Sequence, residues 1–136
     1  MPNSLTEGSF RSLQISFIQQ EAAGTLGNRV VFTAPFDCVI TNITESHTAA
    51  GTDGGAVSLQ IEKLTGTQAP GAGAVLLSNN TNAGFNLKGA ANTVQYGGFK
   101  AGASRRLARG NRIALRTSGV LTTVAGVNVS VTLSRK

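Results

Sequence analysis

Five arginines, Arg105, Arg106, Arg109, Arg112 and Arg116, lie within twelve residues, and Lys100 stands just before them. The guanidinium is planar, always charged and forked. It matches carboxylates and phosphates two bonds at a time, so a run of Arg rather than Lys points to oxyanion recognition. An acidic protein surface, a nucleic-acid backbone, or plain solvent around a basic loop would each fit. Single-strand binders add exposed aromatics on which bases stack. Here only Tyr96 and Phe99 are near, and the chain has no Trp. Nucleic acid is the less favoured partner, and the six basic residues are candidate contacts for an acidic protein.

The other reactive side chains do not assemble into a site. Cys38 and His47 are the only cysteine and the only histidine. They are expected on one strand, nine residues and roughly 30 Å apart at strand rise. They form no nucleophile–base pair unless that strand folds back. Cys38 reads as a small core residue and His47 as a polar residue at a strand end. One Cys and one His also exclude a disulfide framework, multi-cysteine zinc sites and most His-based metal clusters. The six acids are scattered singly and offer no sequence-adjacent pair for glycosidase-type chemistry. Asp53-Gly54-Gly55 lacks the alternating oxygens and closing Glu of a calcium loop and reads as a turn. The glycine-rich stretch 66–73 lacks the Gly-Lys-Ser/Thr ending of a phosphate loop and reads as a flexible loop. Three sequons, at Asn42, Asn79 and Asn128, are chance matches in a Thr- and Asn-rich chain. No catalytic residue, metal ligand or cofactor is expected, and an enzyme is the least favoured class.

Charge is divided unequally. Residues 1–68 hold three bases and all six acids, a balance of −3; residues 69–136 hold nine bases and no acid, a balance of +9. Such asymmetry suggests one surface built for an anionic partner. Only 13% of residues are charged, about half the usual share. Ser, Thr, Asn, Gln and Gly must cover the rest of the surface, a composition suited to sheets, tight turns and contact with partners. The 136 residues fit a single domain with a real core. No apolar run reaches the roughly 20 residues that span a bilayer. The polar start of the chain does not read as a secretory signal, so release by lysis is the expected route out of a cell.

The elements that must position these residues are strands. Residues 1–9 read as an extended arm, and 10–136 as one β-sandwich domain. Leu13, Ile15 and Phe17 alternate with polar residues, as do Val57, Leu59 and Ile61, and Val127, Val129, Val131 and Leu133. Shorter apolar runs occur at 30–32, 36–47, 75–77, 85–87, 93–99, 113–115 and 120–124, with a bulge expected at Gly97 and Gly98. Residues 104–112 read as a basic loop, with a helical turn conceivable near Leu107. About eight strands with Gly, Asn and Pro turns between them predict an all-β, antiparallel sandwich or barrel, the jelly roll included.

Several segments carry a resemblance: FTAPFDC at 32–38, LQIEKLTGT at 59–67, APGAG at 69–73, FNLKG at 85–89, NTVQ at 92–95, LARGNRIAL at 107–115 and AGVNVSVTL at 125–133. Together they resemble the jelly-roll cement, or decoration, proteins of short-tailed bacteriophages over about three-quarters of the chain. The resemblance implies a β-jelly-roll of about eight strands that self-associates as a homodimer rather than a trimer. It implies a place on the outer capsid surface of the virion, where the protein clamps neighbouring major capsid proteins after the shell expands. No cofactor and no membrane are expected from the residues themselves. The matching motifs are turn and strand patterns, so they do not assign the arginine cluster to a capsid interface. A head-fibre or appendage domain that binds host glycans is the alternative, since jelly rolls also serve lectins.

Overall fold

Successive strand residues point to opposite faces, so alternating strands bury their apolar faces by stacking two sheets. The computed structural model describes residues 12–18, 23–24, 26–78 and 84–135. The described residues form ten strands and no helix. These are β1 (Ser12–Ile18), β2 (Arg29–Thr33), β3 (Cys38–Ser46), β4 (Ser58–Leu64), β5 (Ala74–Val75), β6 (Phe85–Asn86), β7 (Gln95–Tyr96), β8 (Arg106–Leu107), β9 (Arg112–Ser118) and β10 (Asn128–Arg135). The expected arm 1–9, the expected domain start at Phe10 and the turn at 79–82 lie outside the described residues.

The strands build two antiparallel sheets. One runs β1-β10-β3, with β7 and β8 both paired to β3; the other runs β2-β9-β4, with β5 and β6 both paired to β4. β8 takes Cys38 and Val39, and β7 takes Thr44 and Glu45. Likewise β6 takes Ser58 and Leu59, and β5 takes Glu62 and Lys63. Each short pair therefore shares one edge position, and the ten strands fill the eight positions that the alternation predicts. The sheets share one core. Ile40, Ile43, Val129, Val131 and Leu133 of the first sheet meet Leu59, Ile61, Phe85, Ile113 and Leu115 of the second, all but fully buried. Each such aliphatic or aromatic side chain contributes roughly 1.5–3 kcal/mol relative to exposure.

Three segments differ from the sequence expectation. The run 93–99 pairs as a strand only at Gln95–Tyr96. At the next residue Gly97 N–H still donates to Ile43 O at 2.8 Å, but a Cβ on Gly97 would sit 2.8 Å from Leu77 Cδ2. The close approach of the crossing chain ends the ladder. Near Leu107 the chain is a strand, not a helical turn, because its backbone completes the pairing of β3. The run 120–124 is a turn, closed by Val124 N–H on Leu121 O at 3.0 Å, with Val124 buried and Val120 48% exposed.

The broken edges lean toward each other. After β5 the chain leaves the second sheet, and after β7 it leaves the first. Where they meet, Leu77 bridges Phe99, Ser78 N–H donates to Gly98 O at 2.8 Å, and Lys100 N–H donates to Leu76 O at 2.7 Å. A crossing chain loses its ladder partners, and a buried unpaired peptide group is costly. Gln60 fills that gap in the crossing chain, and Gln95 pairs the open side of edge strand β6. Gln60 Nε2 donates to Leu77 O at 3.0 Å, and Gln60 Oε1 accepts from Leu77 N–H at 2.9 Å. Gln95 does the same for Asn86, donating to its carbonyl at 2.8 Å and accepting from its N–H at 3.2 Å. A primary amide offers the same donor and acceptor as a peptide, so each glutamine stands in for one residue of a missing strand. Replacing Gln60 by Leu keeps the volume but orphans both groups of Leu77. The variant is expected to lose on the order of 3 kcal/mol of stability, read as a lower urea midpoint at unchanged slope. An unchanged midpoint would show that the side-chain pairing adds nothing.

Candidate functional site

The six candidate basic residues do not form one cluster. Lys100, Arg105, Arg106 and Arg109 belong to the edge segment that closes the first sheet, and Arg112 and Arg116 lie on β9 of the second. On the edge segment, the Arg105 guanidinium stacks 4.8 Å from the centroid of the Phe99 ring. Arg106, on β8, lines a cavity of about 200 Å³ with Asp37, Lys63 and Asn111. Arg109 is exposed, and its backbone N–H donates to Asp37 Oδ1 at 3.0 Å.

Arg112 and Arg116 alternate with the core residues Ile113 and Leu115, so they face outward. Arg112 Nη2 donates to Gly66 O at 3.0 Å and Gln68 O at 2.8 Å. On the neighbouring strand Glu62 is fully buried, and its Oε1 accepts from Gly71 N–H at 2.7 Å and Gly73 N–H at 3.4 Å. The glycine-rich stretch is thus a strap pinned across the outer face of the second sheet. It needs glycine where it touches β4, since a Cβ on Gly73 would collide with Lys63 O. Glu62 Oε2 makes no hydrogen bond among the described residues; Arg116 Nη1 faces it at 3.9 Å, a charge attraction only.

Burial of carboxylates determines the sign of the exterior. Of the described acids, Glu45 and Glu62 are buried, leaving only Asp37 and Asp53 toward solvent. Around them stand Arg29, Lys63, Lys88, Lys100, Arg105, Arg106, Arg109, Arg112, Arg116 and Arg135. Sequence reasoning missed Lys63, which lies in the acid-bearing half. Its Nζ donates to Ser104 Oγ at 3.4 Å, so it joins the basic edge through a contact between the two sheets. It also missed Arg135, which stacks 4.6 Å from the Phe36 ring centroid. Neither leaves a sequence signal, because both partners are distant in the chain.

His47 follows the last residue of β3, the strand end expected of it, and is buried there beside Glu45. Its Nδ1 lies 2.8 Å from Glu45 Oε2, and its Nε2 lies 2.7 Å from Gly89 O. Both ring nitrogens face acceptors, and a neutral imidazole has only one N–H. The geometry fits an imidazolium. The hydrogen bond to Glu45 raises the His47 pKa above its ordinary 6.5; burial opposes this, and the Glu45 charge and the Gly89 carbonyl add to it. Gln95 Nε2 donates to the other oxygen of Glu45 at 2.7 Å. The pair therefore clamps the 89–92 turn, whose backbone also returns Asn92 N–H to His47 O at 2.7 Å. Ala90 and Asn92 hold left-handed backbone, with φ of 58° and 59°, which needs outside support in a residue with a Cβ.

Cys38 is buried at the opposite end of β3 from His47, and β3 is continuous between them. Burial first, and then the neighbouring Asp37 carboxylate, push the Cys38 thiol up from its usual value. A thiol held protonated is a poor nucleophile. Among the described residues no group of three His, Cys, Asp or Glu is placed to hold a metal ion. Compared with protein-family models, curated proteins and solved structures, the chain finds no significant match.

Two outcomes follow from this geometry. Glu62→Ala removes the anchor of the strap, and the Gly71 amide should then exchange its hydrogen faster while the core amides do not. Equal exchange would mean that the strap is held by Arg112 alone. For His47, a raised folded-state pKa means the clamp contributes fully below pH 6.5 and loses its contribution as pH rises through the folded value. The urea midpoint of the intact protein should fall over that rise relative to His47→Gln. Parallel pH profiles would rule out the imidazolium clamp.

Proposed function

We propose that this chain is a bacteriophage cement, or decoration, protein that binds the outer surface of the capsid as a homodimer and stabilises contacts between major capsid proteins. One observation carries the reading: ten Arg and Lys of the described residues surround only two outward acids, Asp37 and Asp53. A face of that kind is complementary to an acidic protein shell and repels copies of itself except where symmetry brings other residues together. Each bound copy spans a joint between subunits, and many weak contacts become strong by repetition.

The strand order supports the jelly-roll form of the sandwich. β1 to β4 alternate between the sheets, and β9 and β10 return to insert between β2 and β4 and between β1 and β3. That order is compatible with two interleaved Greek keys. Against nucleic acid, Arg105 already covers the face of Phe99 on which a base would stack. Tyr96, 70% exposed on β7, is the observation that favours the glycan-binding alternative; a glycan array probed with the isolated protein tests it directly.

Particles with and without the protein, heated or osmotically shocked, test the cementing role; bare shells that survive equally well would end it. Reversing charge in Arg105→Glu, Arg106→Glu and Arg109→Glu together should leave the fold intact, because all three residues are exposed. Occupancy on shells should drop by about tenfold or more, a loss of ~1.4 kcal/mol per site at least. Full occupancy would remove this edge from the capsid interface.

A further inference from the structure

We propose that an open groove between β5 and residues 100–104 seats an extended, acidic segment of the partner protein. The inference rests on the reading of an acidic protein partner and gives it a location. The groove encloses about 640 Å³ and is lined by Gly73, Ala74, Val75, residues 101–104, Lys100 and Arg116. It begins where the two sheet edges part, beside the hydrogen bond from Lys100 N–H to Leu76 O.

The lining selects the shape of the occupant. Gly73, Ala74, Ala101, Gly102 and Ala103 carry nothing larger than a methyl group, so a peptide backbone can approach closely. β5 is paired to β4 and has no strand on its other side among the described residues. A sheet edge left open in this way accepts an added strand. Charge selects its chemistry. Lys100 and Arg116 line the groove, and no carboxylate does.

One lining cation, Arg116, and two cations beside the groove, Lys63 and Arg105, are also placed before any partner arrives. Arg116 faces buried Glu62 at 3.9 Å, and a guanidinium has five donors, so others remain for the groove. Lys63 is tethered to the lining residue Ser104 at 3.4 Å, and Arg105, the next residue, is stacked on Phe99. Side chains already ordered lose less entropy on binding. The stacking also covers the face of Phe99 beside the groove on which a nucleobase would stack, which favours an acidic peptide over a nucleic acid of equal charge.

The test titrates the full chain with a fluorescein-labelled peptide of alternating Asp and Val, followed by anisotropy. The peptide should bind, and a peptide of alternating Lys and Val should not. Ala101→Trp fills the groove from an exposed position, and Lys100→Glu reverses the charge of its lining; each should weaken binding by about tenfold or more. Lys88→Glu makes the same charge change away from the groove lining and should leave the affinity unchanged. Equal binding by the intact chain and Ala101→Trp, or equal losses in Lys88→Glu and Lys100→Glu, would overturn the site in favour of diffuse attraction. An oligonucleotide that binds as tightly and loses as much affinity in Ala101→Trp would overturn the choice of peptide. Attachment of the intact chain to bare shells is measured alongside. If the peptide fails and shells are still coated, the groove falls and the cement reading stands. If shells stay bare while the peptide binds, the reverse holds.

Discussion

A peptide group with no strand beside it must find another partner, and two glutamine side chains meet that demand at the edge of this sandwich. Gln60 pairs both backbone groups of Leu77, and Gln95 pairs both of Asn86. With those groups satisfied, the chain can leave one sheet, touch the other and return. The crossing brings Leu76–Ser78 against Gly98–Lys100 and stitches the two sheet edges together. An open sandwich has exposed strand edges that invite pairing with other chains. Here one edge is sewn for part of its length and open for the rest, and the open part is the groove between β5 and residues 100–104.

The same edge organises the charge. β4 carries Glu62 on the face opposite its core residues, and the glycine-rich strap covers it. At the far end of the sandwich, Glu45 is buried against His47 and Gln95. Glu45 is held on both oxygens, by the buried imidazole and the Gln95 amide, and Glu62 on one oxygen by backbone N–H groups, its other oxygen facing Arg116 at 3.9 Å. A buried charge is tolerable only with such partners. The result is an exterior more basic than the formal charge of +6 suggests, because the acids that would offset it face inward. Two of the cations are further immobilised on aromatic rings, Arg105 on Phe99 and Arg135 on Phe36. Such stacking contributes about 0.5–1 kcal/mol at exposed sites, and it fixes where the charge is presented.

Much of the fold was legible in the residues. The alternation of Leu59 and Ile61, and of Val127 to Leu133, marked two strands that form the middle of their sheets. The free, buried Cys38 was legible as well. The short edge strands were not. Residues 106–107 and 74–75 have no periodicity of their own and pair because β3 and β4 present unfilled backbone groups. His47 does stand at a strand end, but its burial was not legible for a related reason. A polar residue at the end of a strand is normally solvated, and nothing local announces that Glu45, Gly89 and Gln95 will close around it. Of the basic residues, the sequence cluster spans both sheets, since a twelve-residue span here crosses from one to the other, and Lys100 and Arg116 come together only at the groove between them.

By itself the sequence determined the all-β class, the number of strand positions, the apolar faces that form the core and the excess of positive charge. Those depend on residue type and a period of two, which are local properties. Only the tertiary structure decided which charges face outward and which residues meet across the seam. It turned Glu45 and Glu62 inward, brought Lys63 to Ser104, and set Arg116 beside Lys100 across an open groove. Those outcomes depend on pairings between residues tens of positions apart. They follow from the high cost of leaving buried peptide groups and carboxylates without partners, and those partners come together only when the whole chain is in place.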